Sequence, residues 1–442
     1  MTTPADQPYE VRCPLHGSIP FSEREREILD HPYVQRLRAI SQLGFTDQVY
    51  PGATHSRFSH ALGVMFLAGR IFDQVLANSP DVLGSAFDEE ALAYCRTIVR
   101  LAGLLHDLGH HPYSHSFEPL LPPRGSLPLE REWYAHFDPA AQATHEDFSV
   151  AAVTALARET PPLLSLQEAR DIAALIDGAV TPSPALAGLG GDPTRNVFPL
   201  LRQIISGEID ADRMDYLRRD AHFAGVPYGF FDLDRLIQSL SGVETPKGLV
   251  LALDRSALYT YEHFLMTRFH MAMQVYLHKT VVLFEHYLQQ AVTEREIEFP
   301  VDGSLANFLN AREDVIRAKL QEASDRRWAG RIVNRRPFPR LIQLERGQPH
   351  PGSGEILAAL EKAGIETIHI RVERRLSTLG LEGSGSCPIL VRDSGLRQEE
   401  WKPLQEVSVL LERYNQVFEM ENIYCAPAGY EKGLEVISRL RM

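Results

Sequence analysis

Cysteine is scarce in this chain. Four occur in 442 residues, Cys13, Cys95, Cys387 and Cys425, and no two have CxxC spacing. That pattern argues against a disulfide framework and a cysteine-built zinc knot, and it fits a reducing compartment. The opening MTTPADQPYEVRC has no apolar signal core. No stretch reads as the roughly twenty apolar residues that span a bilayer. These absences predict a cytoplasmic protein with no membrane partner. An excess of base is missing too, since 45 Lys and Arg face 58 Asp and Glu for a net charge of -13. A surface of that sign argues against a general nucleic-acid coat and leaves room for a local basic pocket. There is no internal repeat and no low-complexity tract.

What is present is an ordinary globular balance, 44% hydrophobic and 23% charged. The length allows two to three units, or one large core with an appendage. From 22 to 290 the periodicity is mostly helical. Ser22 and Glu25 form a capping-box signature. Leu92, Cys95, Val99, Ala102 and Leu105 form one apolar stripe. Pro-rich and Gly-rich segments predict a loop or lid over 119–143 and a loop over 181–194, and KGLVLALD predicts a strand. After about residue 297 the texture changes. RLIQLER, ETIHIRVERRL and CPILVRD predict strands, whereas EEWKPLQEVSVLLERYNQ and GYEKGLEVISRL predict helices. The expected architecture is mainly α, with a helical catalytic lobe over 1–296 and a smaller α+β lobe over 297–442 that regulates or oligomerises.

GLLHDLGHHPYSHSFE, residues 103–118, places His106, Asp107, His110, His111 and His115 behind an apolar run, with Glu118 close after. So many ionisable groups would repel or desolvate badly without a metal or an anion to compensate them. Adjacent imidazole and carboxylate groups at the end of a helix can both reach one divalent cation. Such a site needs further donors from elsewhere. His60 in HSRFSH and Asp212 in EIDADRMDY are candidates.

The ordered set HSRFSH, LLHDLGHHPYSH, THED and IDADRMDYLRRD resembles the HD-domain phosphohydrolases. It is most similar to their deoxynucleoside triphosphate triphosphohydrolase branch, over roughly residues 10–290. Too few residues precede the motif for a sterile-alpha-motif module. The resemblance implies an HD-domain helical lobe and a metal held by His60, His106, Asp107 and Asp212. The metal would be Fe, Mn, Mg or Zn, with additional Mg carried by the nucleotide. The implied reaction is hydrolysis of a dNTP at its α-phosphorus, giving a deoxynucleoside and inorganic triphosphate. His110, His115, His145 and Glu118 follow as catalytic residues. His115 is the expected acid for the leaving 5′-oxygen, and Glu118 stands where relatives have an aspartate. Glu146, beside His145, also matches the family pattern.

The same resemblance assigns phosphate grip to Arg57, Arg213 and Arg268. It assigns sugar recognition to Gln42, Tyr216, Asp220 and Tyr276, with Tyr276 packed where a 2′-hydroxyl would sit. Leu277 replaces a base-contacting glutamine, and Cys13 in CPLHGSI replaces an aspartate. Asp30, Gln35 and Arg38 match an activating-nucleotide site; the alternative is an ordinary helix surface. A nucleotide-switched homo-oligomer (dimer, tetramer or hexamer) would follow from the first reading. The basic tract RRWAGRIVNRRPFPR, 326–340, suits a second nucleotide, a neighbouring subunit, single-stranded nucleic acid or a solvated arm. Two other functions stay open. One is an HD-type hydrolase or nuclease acting on another nucleotide or on single-stranded nucleic acid. The other is a nucleotide-sensing binding protein.

Overall fold

The 22-residue helix Arg57–Asn78 is the axis of the molecule. It packs against the helices Glu89–Leu105, Phe198–Ile205 and Ala211–Ala224. By length and composition it could cross a membrane, which the sequence reading did not register. Here 67% of its most apolar window is buried inside the protein. Its apolar residues serve a protein core, not a lipid phase. The computed structural model describes residues 8–299, 301–345, 351–375, 377, 389–393, 400–414 and 417–440.

The expected capping box is present. Ser22 accepts from Glu25 N, and Glu25 accepts from Ser22 N, opening the helix Glu23–Leu29. Glu25 also receives Arg100 at 2.6 and 3.0 Å in a buried ion pair. Cys95, Val99, Ala102 and Leu105 are buried as their spacing predicts. Before them lies a hairpin the sequence reading did not foresee. Its strands β1 (Tyr9–Cys13) and β2 (Gly17–Phe21) are antiparallel, with Cys13 opposite Gly17.

Among the described residues the remaining strands are β3 (Leu240–Thr245), β4 (Gly248–Asp254), β5 (Arg340–Glu345), β6 (Thr367–Arg375), β7 (Leu390–Asp393), β8 (Glu400–Pro403) and β9 (Val417–Cys425). They form two sheets, ordered β3-β4-β7-β8 and β5-β9-β6. β7 runs parallel to β4, so a late strand completes a sheet begun by the helical lobe. The stretch expected as one helix from Glu399 is instead β8 followed by the short helices Leu404–Val407 and Val409–Tyr414. Pairing of β8 with β7 outweighs local helix propensity there.

In the second sheet β9 lies between β5 and β6, antiparallel to both. One face packs on the helices Ser353–Lys362 and Tyr430–Leu440 through Leu341, Ile356, Leu360 and Ile437. Met420 on the other side packs on Leu277 and Val282. Segment 119–143 is a loop, but it is not a loose lid. Leu127, Leu129, Trp133 and Tyr134 are buried in the main core, and Arg124 pairs with Asp147 at 2.9 Å.

Candidate functional site

The helix Glu89–Leu105 ends where His106 becomes its C-cap. His106 Nδ1 donates to Gly103 O at 2.9 Å, which leaves Nε2 buried and without a hydrogen-bond partner. His60 Nε2, from the axial helix, lies 3.0 Å from Asp212 Oδ1. His60, His106 and Asp212 offer ligand atoms that all lie within 4.8 Å of one another. Two imidazoles and a carboxylate at that spacing, one nitrogen orphaned, fit a divalent cation. Asp107 stands at the rim of this group. Its Oδ1 is 3.3 Å from His106 Nε2 and its Oδ2 is 3.7 Å from His60 Nε2. Arg57 Nη1 donates to the same Oδ2 at 2.5 Å.

The electrostatics favour positive charge at this point. Burial pulls the His60 imidazole down, but hydrogen bonds to Asp212 and Asp215 and the Asp107 charge push it to about 10. A field that holds a proton so firmly also attracts a metal ion. Burial opposes ionisation of Asp107, yet Arg57, His106 and His110 hold its carboxyl well below the usual range.

Gly109 brings the next layer together. A Cβ there would lie 1.8 Å from His145 O, so only glycine lets the turn approach the helix His145–Arg158. The His110 and His145 rings stack at 3.9 Å as a result. Glu118 Oε1 lies 2.5 Å from His145 Nδ1, and Glu146 Oε1 lies 3.4 Å from its Nε2. The pair is polarised. Burial, with the Arg57 and His145 charges, pushes His110 well below the usual histidine value. Burial also pulls His145 down, but the Glu118 hydrogen bond and nearby carboxylates raise it overall. The side chain of His115 lies outside the described residues.

His106, Asp107, His110, His145, Glu146 and Asp212 line a cavity of about 560 Å³. Arg57, Arg213 and Arg268 all face it. Arg57 also donates to Ser114 Oγ at 2.5 Å. Arg213 pairs with Asp210 and donates to Gly207 O, and Arg268 Nη1 pairs with Glu208 at 2.6 Å. Gln42, Tyr216, Asp220 and Tyr276 line the same cavity. Tyr276 donates to Asp220, whose other oxygen meets His55 Nε2, each at 2.8 Å. Gln42 is buried and its Oε1 has no hydrogen-bond partner. Met273 and Leu277 add an apolar wall.

The predicted activating site is separate from this cavity. Asp30 is exposed and pairs with Arg26, while Gln35 accepts from Arg38 Nε at 2.8 Å. Arg38 lies over the Phe58 ring at 3.6 Å. In the basic tract, Arg335 donates to Gln48 O at 2.9 Å and Arg327 pairs with Glu366.

Sequence reasoning missed the residues that hold the site from behind. Arg36 is buried and donates to the carbonyls of Leu108, His110 and Ala311 at 3.3, 2.8 and 2.8 Å. Burial, with the Arg312 and Arg57 charges, lowers it to about 9. Tyr113 and Ser114 have φ of 57° and 58°, left-handed values that cost side-chain-bearing residues energy. Glu313 Oε1 holds that bend, accepting from Tyr113 N at 3.2 Å, Ser41 N at 2.9 Å and Ser41 Oγ at 2.5 Å. An arginine inside DHPYVQRLR at an otherwise apolar position was the available signal for the first. Glu313 offered none.

Comparison with known proteins agrees with this geometry. Residues 57–220 match the HD domain, and residues 231–367 match the HD associated region. An uncharacterised protein of Methanocaldococcus jannaschii is 28% identical over 82% of this chain and 65% of its own length. A deoxynucleoside triphosphate triphosphohydrolase of Homo sapiens is 32% identical over 66% of this chain and 46% of its own. The chain thus spans about half to two-thirds of the length of such curated relatives. A solved structure of a hypothetical protein from Aquifex aeolicus superposes with a TM-score of 0.73 at 28% identity, covering 97% of this chain and 99% of that one. With its motif histidines and aspartates gathered on the matched segment, the chain belongs to the HD-domain family, carrying an HD domain followed by an HD associated region.

Proposed function

We propose that the protein is a metal-dependent phosphohydrolase whose substrate is a deoxynucleoside triphosphate, cleaved to deoxynucleoside and inorganic triphosphate. One observation carries the reading. The His106 and Asp212 donors, with buried His60 behind them, open onto the same cavity as three arginines and the Tyr276–Asp220 pair. That arrangement suits a ligand with a polyanionic tail and a hydroxylated sugar. The name of the human relative, a deoxynucleoside triphosphate triphosphohydrolase, supports it.

His60, His106 and Asp212 would hold the metal, with Asp107 beside them. A bound divalent cation supplies hydroxide near neutral pH and offsets phosphate charge. Arg57, Arg213 and Arg268 take the phosphate oxygens, with Glu208 and Asp210 yielding their arginines to the tail. The water oxygen bonds to the α-phosphorus as the bond to the 5′-oxygen breaks. In place of His115, the acid that the resemblance implies and whose side chain lies outside the described residues, His145 holds the proton that the 5′-oxygen needs, and Glu118 orients that imidazole. His110, kept neutral, stacks on it without adding charge. Gln42 and Asp220 hydrogen-bond the 3′-hydroxyl. Tyr276 closes the space beneath C2′, and rejection of ribonucleotides follows from that contact.

Product analysis tests the proposal. Each dNTP and NTP is incubated with Mg²⁺, Mn²⁺ or Fe²⁺ and the products are separated. Inorganic triphosphate from dNTPs is the expected result. Pyrophosphate or orthophosphate as the first product would overturn it.

A further inference from the structure

Asp215 lies behind the proposed metal site, and neither it nor His16 lines the cavity. Its Oδ2 is 2.8 Å from His60 Nδ1, and its Oδ1 is 2.6 Å from His16 Nε2. Arg219 grips both oxygens, at 2.7 and 2.9 Å. All four side chains are at most 2% exposed. Gly63, three residues along the axial helix from His60, makes the space for this group. A Cβ there would lie 2.0 Å from Asp215 Oδ1 and 2.5 Å from Arg219 Nη2.

A neutral imidazole carries its proton on one nitrogen and a lone pair on the other. A carboxylate accepts, so in the neutral ring that a metal would bind, Asp215 keeps the proton on Nδ1 and leaves the Nε2 lone pair on the Asp212 side. That is the tautomer a metal requires at Nε2, and such a partner also fixes the ring plane. His16 belongs to the turn between β1 and β2, and its ring packs on Phe66 at 5.5 Å. A continuous chain therefore runs from the hairpin through Asp215 to His60, spanning 199 residues of sequence between His16 and Asp215.

We propose that Asp215 is the positioning residue for His60, and that His16 extends this hold to the β1–β2 hairpin, so that hairpin docking sets metal affinity. The inference rests on His60 being a metal ligand. Metal binding by the full chain, stripped of metal, tests it without reference to any substrate. Mn²⁺ affinity is measured by competition with a chromophoric chelator for the native protein and for Asp215→Asn, His16→Gln, Arg219→Met and His60→Gln. Asp215→Asn is expected to weaken Mn²⁺ binding about 10- to 100-fold. His16→Gln should weaken it about 3- to 10-fold. Arg219→Met lowers the unfolding midpoint but keeps both imidazole contacts, so its affinity should stay within about twofold of native. Native affinity in a folded Asp215→Asn overturns the proposal, as does equal weakening by Arg219→Met, which would make the effect one of stability alone. If Asp215→Asn does not fold, native affinity in His16→Gln overturns it. Native affinity in His60→Gln would instead remove the ligand assignment beneath it.

Discussion

Tyr276 donates its phenolic hydrogen to Asp220 Oδ2 at 2.8 Å, tying the helical turn after Met271 to the helix that carries Asp212. Burial and the Asp220 charge keep that phenol protonated far above neutral pH. The ring is therefore pinned by one hydrogen bond. Tyr276→Ala should reduce the ratio of deoxy- to ribonucleotide turnover by about 10- to 100-fold, the scale of losing a close steric contact. Paired rates with dGTP and GTP check this, and an unmoved ratio rules out the steric gate. Tyr276→Phe keeps the ring and should preserve most of the discrimination.

Arg268 meets Glu208 at 2.6 Å, so a phosphate tail must compete with a carboxylate for it. Glu208→Gln weakens the competitor. It should lower KM about 3- to 10-fold with kcat little changed, the signature of uniform binding. Arg268→Gln should raise KM by about 10- to 100-fold, the cost of a charge-assisted contact. Steady-state kinetics on both variants provide the measurement. A raised KM in Glu208→Gln would show that the carboxylate orients the arginine instead of rivalling it.

His145 should give the reaction an alkaline limb. Burial opposes its charge, but Glu118 and Glu146 raise it above its ordinary value. Rate therefore falls as pH rises through that elevated value. Its contribution to stability has the same sign. It is fully present below the unfolded pKa of about 6.5 and is lost as pH rises through the folded one. Glu118→Gln removes the principal carboxylate partner, so the limb should move to lower pH. A pH–rate profile for the two proteins decides it, and coincident profiles would remove His145 from the proton transfer.

Metal removal should abolish turnover, and Asp107→Ala should abolish it as well. Asp107 neutralises Arg57 and stands beside His106, so its loss leaves a buried cation beside the proposed metal position. The expected loss is at least about a thousandfold in rate, the scale seen when a principal charge-stabilising group is removed. Triphosphate release after chelation and after return of each divalent ion is the assay.

Stability has its own test in Glu25. It closes a capping box and pairs with buried Arg100. Glu25→Ala leaves that guanidinium buried and unpaired, which costs about 3–5 kcal/mol. The midpoint of urea unfolding should drop accordingly, with little change in kinetics for the fraction that stays folded.

Local pattern made some of this legible and geometry hid the rest. The HD turn, the helix periodicity and the grouping of His60, His106 and Asp212 could be read because each sits in a short motif. Asp215 and Arg219 are also spaced i,i+4 on one helix, so their ion pair was open to spacing rules. Their partners were not, since His16 is 199 residues from Asp215 and His60 is 155 residues from it. His55 meets Asp220 across 165 residues, and Arg36 reaches Ala311 across 275. No period in a sequence encodes such meetings. The β8 misreading has a similar origin, because a four-residue strand is decided by the neighbour it pairs with.

The grip of Glu313 on Ser41 and Tyr113 reaches from beyond residue 296, where the sequence pattern predicts the helical lobe to end. A polypeptide ending there would retain every histidine and aspartate of the HD motif. It would still lose the acceptor that restrains two left-handed residues and the carbonyl that anchors Arg36. The bend at Tyr113 would relax, and Ser114 would withdraw from Arg57. The segment that bears the HD motif is thus not self-sufficient, and residues beyond 296 complete it as a wedge completes an arch.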